Sequence, residues 1–181
     1  VAFIGSYSRH HRNRAATLDV VAAMKGRALV VFHLDSSSRF VRLAESVLGL
    51  VGPLRKQRRP PEVRAIERAP VFGRDLYQVI SRAKIVINGA IDMAGTDRGN
   101  MRCWEATGCG ALLLSDQGVY PKGFKAGETM VTYASPKDAE IAIEQLLADQ
   151  KAASAIAASG NEMVRSVYSK ERQWSDFQAL L

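Results

Sequence analysis

"TDRGNMRCWEATGCGALLLSD" (residues 96–116) contains the transition that decides the fold. Asn100 is placed to cap a helix over "NMRCWEAT" (100–107), and the G-C-G that follows terminates it. "ALLLSD" (111–116) is then a continuous apolar run, the pattern of a strand buried on both faces. Two carboxylates, Asp97 and Glu105, stand eight positions apart immediately before this run.

Outward from this stretch, strand and helix patterns alternate. "VAFIG" (1–5) reads as a strand ending in Gly, followed by the polar loop "SYSRHHRN". "RAATLDVVAAMKG" (14–26) reads as a helix, "ALVVFHL" (28–34) as a strand buried on both faces, and "SSSRFVRLAESVLGLVG" (36–52) as a helix. "PLRKQRRPP" (53–61) reads as a basic linker, and "VRAIER" (63–68) as a short strand. "FGRDLYQVISRAK" (72–84) is a helix with Leu76, Val79, Ile80 and Ala83 inward, and "IVING" (85–89) is a strand. "TMVTYAS" (129–135) is the last strand. From Pro136 the tail reads as three helices, over 136–149, 151–168 and 169–181. Alternation at these lengths predicts a single α/β domain over 1–181, a doubly wound, Rossmann-like parallel sheet with helices on both faces. Ligands of such sheets bind beyond the C-terminal strand ends, at the topological switch point. "GSYSRHHRNR" (5–14), "NGAIDMAGTDRGN" (88–100) and "SDQGVYPKGF" (115–124) are therefore expected to converge there.

With 181 residues, 47% of them hydrophobic, the chain can bury a full core. No apolar run approaches the ~20 residues of a membrane span. Cys103 and Cys109 are too few for a disulfide framework, and no metal-ligand spacing occurs, so a reduced, cytoplasmic setting is expected and no metal site. The chain opens at Val1 directly on a core strand, which points to a preceding part of a longer protein. The net charge of +7 is uneven: residues 1–74 hold 14 Lys and Arg against 5 Asp and Glu. A basic half implies an anionic partner. "RKQRRPPEVR" (55–64) offers an alternative, a module for nucleic acid or an anionic surface such as a membrane periphery, with Arg55, Lys56, Arg58 and Arg59 as contacts. Without interleaved aromatics for base stacking, nucleic acid is the weaker reading.

Three constellations carry chemistry. Gly5 at a strand end, then Ser6, Arg9, His11 and Arg14 before and within the next helix, is an arrangement for phosphate, because free amides and the helix dipole favour an anion. Neither the dinucleotide nor the Walker glycine pattern is present. Val71, Phe72 and Gly73 lie at a strand-to-helix junction where a planar base can pack. Glu105, on the second turn of its helix with Arg102 beside it, can accept hydrogen bonds from vicinal hydroxyls. Asp97 lies in the preceding loop and can reach toward the same cleft, Gly99 would let the backbone approach a ligand closely, and Asn100, the cap, opens the helix among these binding residues.

Together, and in this order, "VAFIGSYSRHHRNR", "APVFGRDLYQVISRAKIVING" and "RCWEATGCGALLLSD" resemble the C-terminal, nucleotide-sugar-binding half of a GT-B glycosyltransferase of the glycosyltransferase group 1 type, in its spore-maturation-like branch. The R-x-x-E-A-x-x-x-G core at 102–110 is the most specific match. The resemblance implies that Glu105 holds the ribose of a nucleoside diphosphate sugar, of UDP or GDP, that Asp97 lies near the transferred sugar, and that Arg14 faces the diphosphate. It implies metal-independent transfer without a cofactor to an acceptor that is a saccharide, lipid or protein, bound by a preceding N-terminal domain. Where the family typically has Glu, this chain has Asp97, without the usual flanking glycines; a non-catalytic relative is the remaining alternative.

Overall fold

A computed structural model describes residues 1–8, 11–35, 43–46, 50 and 58–180. Arg9, most of the helix expected over 36–52, and residues 53–57 with Arg55 and Lys56 lie outside the described residues. Six strands form one sheet: β1 (Ala2–Gly5), β2 (Val31–Leu34), β3 (Glu67–Arg68), β4 (Ile85–Ile87), β5 (Leu112–Asp116) and β6 (Val131–Tyr133). All pairings are parallel, in the order β3-β2-β1-β4-β5-β6. This is the doubly wound, Rossmann-like α/β arrangement expected from the alternation, with its switch point between β1 and β4.

The apolar strands read as continuous runs because each face feeds a different core. Phe3, Ile85, Ile87, Leu112 and Leu114 pack with residues of α1 (Arg12–Ala23), α2 (Pro61–Ile66) and α5 (Pro136–Ala148). The intervening Ala2, Ile4, Val86 and Leu113 pack with α3 (Gly73–Arg82), α4 (Met101–Gly108) and α6 (Gln150–Val167). Each of the buried leucines in β5 contributes roughly 1.5–3 kcal/mol by leaving water. A last helix, α7 (Lys170–Gln178), closes the described chain. No helix of the described residues is long and apolar enough to cross a membrane.

Several expectations need correction. "VRAIER" is mainly helix: α2 runs from Pro61 to Ile66, and only Glu67 and Arg68 pair as strand. Pro61 suits a helix start, and Val63 and Ile66, three apart, bury one helical face. β2 does not bury both faces. Phe32 and Leu34 are buried, whereas Val31 and His33 are half-buried and Leu29 is 83% exposed, because a cleft of about 440 Å³ opens beside them. Tyr7, in the loop read as polar, is buried and donates to Asp19 Oδ1 at 2.7 Å. Arg59 is 3% exposed and paired with Glu67, and its Nη2 donates to Asp35 O at 3.3 Å. A buried, paired guanidinium is not part of an exposed anion-binding patch, so Arg59 drops out of the basic module proposed over 55–64.

One packing contact has a sign opposite to propensity. Gly160 lies inside α6, where Gly→Ala ordinarily stabilises a helix by about 0.5–1 kcal/mol. Here an added Cβ would sit 2.4 Å from the carbonyl oxygen of Thr129. Gly160→Ala should therefore destabilise the domain, by about 1–3 kcal/mol in urea denaturation; a stabilised variant would contradict this packing.

Candidate functional site

β1 and β4 are joined in register only at Ala2 and Val86, and above that level the sheet parts. The carbonyl of Ile4 accepts there from Arg102 Nη2 at 3.1 Å. Arg102 belongs to the first turn of α4, so this side chain ties the helix start to β1 across the switch point. Its Nη1 meets Glu105 Oε2 at 2.6 Å. Both side chains are largely shielded, at 18% and 13% exposure. Among the described residues Glu105 Oε1 has no hydrogen bond, so one carboxylate oxygen is oriented and the other is free to accept.

The start of α4 is fixed by a chain of amides. Asn100 caps the helix as expected, its Oδ1 accepting from Arg102 N at 3.1 Å. Asn100 Nδ2 donates to Asn88 Oδ1 (3.2 Å), and Asn88 Nδ2 donates to Ser115 Oγ (3.1 Å). The ends of β4 and β5 are thus linked to the helix that carries Glu105. At the far end of α4, Asn161 Nδ2 from α6 donates to the carbonyls of Thr107 and Gly108 (2.8 and 2.9 Å). At Gly99 a Cβ would lie 2.7 Å from Pro121 Cγ, so the missing side chain admits a neighbouring loop.

The first loop meets the same crevice. His11 stands at the N-cap of α1 without capping it through its side chain. Instead Asp92, from a 3₁₀ turn of the 88–100 loop, accepts from Arg12 N through Oδ2 at 2.9 Å. A carboxylate from 80 residues away on this helix end demonstrates its preference for negative charge. Arg14 Nη2 donates weakly to Ser6 Oγ (3.4 Å), while its buried Nε has no hydrogen-bond partner among the described residues. Burial pulls the Arg14 guanidinium below its ordinary value, with Asp92, Tyr133 and Asp116 acting in the opposite sense; it remains charged at neutral pH. Gly89 makes room for it, since a Cβ there would lie 3.2 Å from Arg14 Cγ. Arg14, Arg98, Asp116, Tyr133 and Ser135 line a polar cavity of about 180 Å³.

The three loops read from the sequence therefore do converge. Asp97 lies among them, exposed, with no ion pair among the described residues and no bond to Glu105. Gly5 ends β1 and Ser6 is exposed beside it. Val71, Phe72 and Gly73 precede and open α3, which packs against α4; Phe72 is 75% exposed and Gly73 has φ +52°. Among the described residues they share no hydrogen bond with the other candidates. Asp92, Asn88, Arg98 and Asp116 were not singled out by sequence reasoning, although each ends or follows an apolar strand. Among the described residues no group of three or more His, Cys, Asp or Glu is placed to hold a metal ion.

Comparisons with known proteins bear on the family and the fold. A family profile described as glycosyl transferase-like matches residues 14–179. No curated protein sequence matches. Anabaena Alr3699/HepE, solved in complex with UDP-glucose, superposes with a TM-score of 0.68 at 12% identity, over 99% of this chain and 48% of that one. Sucrose-phosphate synthase from Thermosynechococcus elongatus gives 0.66 at 18% identity, over 99% and 43%. The C-terminal domain of the glycosyl transferase group 1 family protein LpcC from Francisella tularensis gives 0.58 at 15%, over 93% and 85%. At these identities the likeness is one of fold, and the chain spans about half the length of the first of these structures.

Asn100→Ala would remove the cap and leave Asn88 Oδ1 without its donor. A loss of about 1 kcal/mol, or about 2–4 °C in Tm, is expected for a domain of this size. An unchanged Tm in a thermal melt would contradict the role given to this amide chain.

Proposed function

The chain belongs to the glycosyl transferase-like family, and we propose that it is the donor-binding half of a GT-B glycosyltransferase, holding a nucleoside diphosphate sugar where β1 and β4 part. One observation carries the reading: Glu105 is clamped by Arg102 at the switch point and keeps a carboxylate oxygen that is free among the described residues. That geometry suits the paired hydroxyls of a ribose. Arg14, with the amides following Gly5, faces the diphosphate, and Asp97 the sugar. Val71, Phe72 and Gly73 receive the base, the uracil of UDP or the guanine of GDP.

The chemistry follows from charge. Breaking the glycosidic bond to the diphosphate leaves positive charge on the anomeric carbon and negative charge on the departing oxygen. A fixed guanidinium and preorganised amides stabilise that oxygen, at roughly 3–4 kcal/mol per well-placed donor. Arg14 supplies the permanent charge, and its shielded position strengthens its field. Transfer in this reading is metal-independent. The acceptor, a saccharide, lipid or protein, is held by a preceding N-terminal domain. In keeping with the sequence resemblance, the finer placement is the spore-maturation-like branch, acting in the cytoplasm or at a membrane periphery. The isolated domain then binds donor but transfers no sugar. The relatives' complexes with UDP and UDP-glucose support a nucleotide-sugar ligand.

Calorimetric titration with UDP, UDP-glucose, GDP and GDP-mannose tests this directly. Wild type should bind at least one pair, and Arg14→Ala and Glu105→Ala should each weaken binding tenfold or more, about 1.4 kcal/mol. Absence of binding by wild type to every one of these nucleotides would overturn the reading, as would wild-type affinity in both variants.

A further inference from the structure

The loop that carries Asp97 is held far more firmly than an exposed loop requires. Asp116, the last residue of β5, grips it at two points. Its Oδ1 accepts from Ala90 N at 3.0 Å, where the loop leaves β4. Its Oδ2 meets Arg98 Nε at 2.6 Å, near the loop's other end. Arg98 turns back on its own segment, Nη1 donating to the carbonyls of Gly95 (2.8 Å) and Asp97 (3.1 Å). The loop is also stitched to the segment after β5. Arg98 N donates to Val119 O (3.0 Å) and Val119 N to Thr96 O (2.8 Å), so Asp97 sits between two rungs of a short parallel bridge. Gly118 permits this approach: a Cβ there would lie 2.5 Å from Thr96 O and 2.5 Å from Arg98 Cγ. Tyr120 further fixes the segment by donating to Asp116 O at 2.5 Å.

This scaffold surrounds a residue whose own carboxylate bonds to nothing among the described residues. Ordering an exposed loop opposes its conformational entropy, and among the described residues the Asp97 carboxylate returns no bond to offset it. The side chains of Arg98 and Asp116, and the close approach that Gly118 allows, hold the loop that carries Asp97 from both sides and across two loops. We propose that Asp116, acting through Arg98 and the close approach at Gly118, is a positioning residue that presents Asp97 to the sugar of the bound donor and so sets recognition of the sugar rather than of the nucleotide. The inference rests on the reading of the chain as a nucleotide-sugar-binding domain. Asp116 touches no donor atom in it; the contact is made by Asp97.

The test separates sugar from nucleotide. Wild type, Asp116→Asn, Gly118→Ala, Asp97→Asn and the double variant Asp97→Asn/Asp116→Asn are titrated calorimetrically with UDP and UDP-glucose, and with GDP and GDP-mannose. Asp116→Asn keeps an acceptor for Ala90 N but loses the charge facing Arg98; Arg98→Gln removes the same ion pair from its other end. Thermal melts identify any variant that fails to fold, and the others carry the test. The expected result is a nucleoside diphosphate affinity within about twofold of wild type in every folded variant. The extra affinity conferred by the sugar should fall by the same factor in Asp116→Asn, Arg98→Gln, Gly118→Ala and Asp97→Asn, with no further fall in the double variant. Equal losses for nucleotide and nucleotide sugar would overturn the proposal, as would unchanged sugar discrimination or additive losses in the double variant. Wild type that binds no nucleotide at all removes the underlying reading instead, and is recognised before any variant is compared.

Discussion

The structure depends on a single constraint: a parallel sheet covered on both faces leaves its polar chemistry only at the strand ends. β4 and β5 bury every residue from Ile85 to Ile87 and from Leu112 to Ser115, so no charged side chain can stand within them. Charge is displaced to the C-terminal edge, where backbone groups also run out of strand partners. The parting of β1 and β4 concentrates this effect, since Ile4 keeps a carbonyl that the ladder does not use there. Arg102 fills that gap, and in doing so fixes Glu105. One unmet backbone acceptor thus determines the orientation of the carboxylate on which the proposed ribose site rests.

Much of the architecture was legible in the chain because local pattern and tertiary packing coincide. "IVING" and "ALLLSD" could only be interior strands, and Asn100 could only be a cap, accepting from the backbone two residues on. The failures share a cause, which is dependence on remote neighbours. "VRAIER" has strand-like composition, but two prolines before it and a buried i, i+3 pair make it a helix. "ALVVFHL" looks doubly buried until the cleft on one side of β2 is seen. Arg59 looks like part of a solvated basic run, and its neutralisation by Glu67 follows from the turn of α2 that brings the two together.

The site was legible in part for the same reason. The Arg102–Glu105 pair lies within one helix and follows from spacing alone. The clamp around Asp97 does not: Asp116 reaches Ala90 across 26 residues, and Asp92 reaches Arg12 across 80. Such contacts have no sequence period. Their trace is only the kind of residue, an acid at the end of an apolar strand or in the loop after it, and that trace is informative once the strand order is known. Glycine is similarly ambiguous in the chain, for Gly99 and Gly118 serve close approach between loops, while Gly73 serves a positive φ at the start of α3.

The central claim is where the donor lies, and a crystal structure of the chain grown with UDP-glucose addresses it most directly. The expected result places the ribose hydroxyls within hydrogen-bond distance of Glu105 Oε1, the diphosphate between Arg14 and the start of α4, and the glucose beside Asp97. A nucleotide bound elsewhere, for example in the apolar cleft beside Leu29 and Val31, or a ribose that leaves Glu105 untouched, would contradict it.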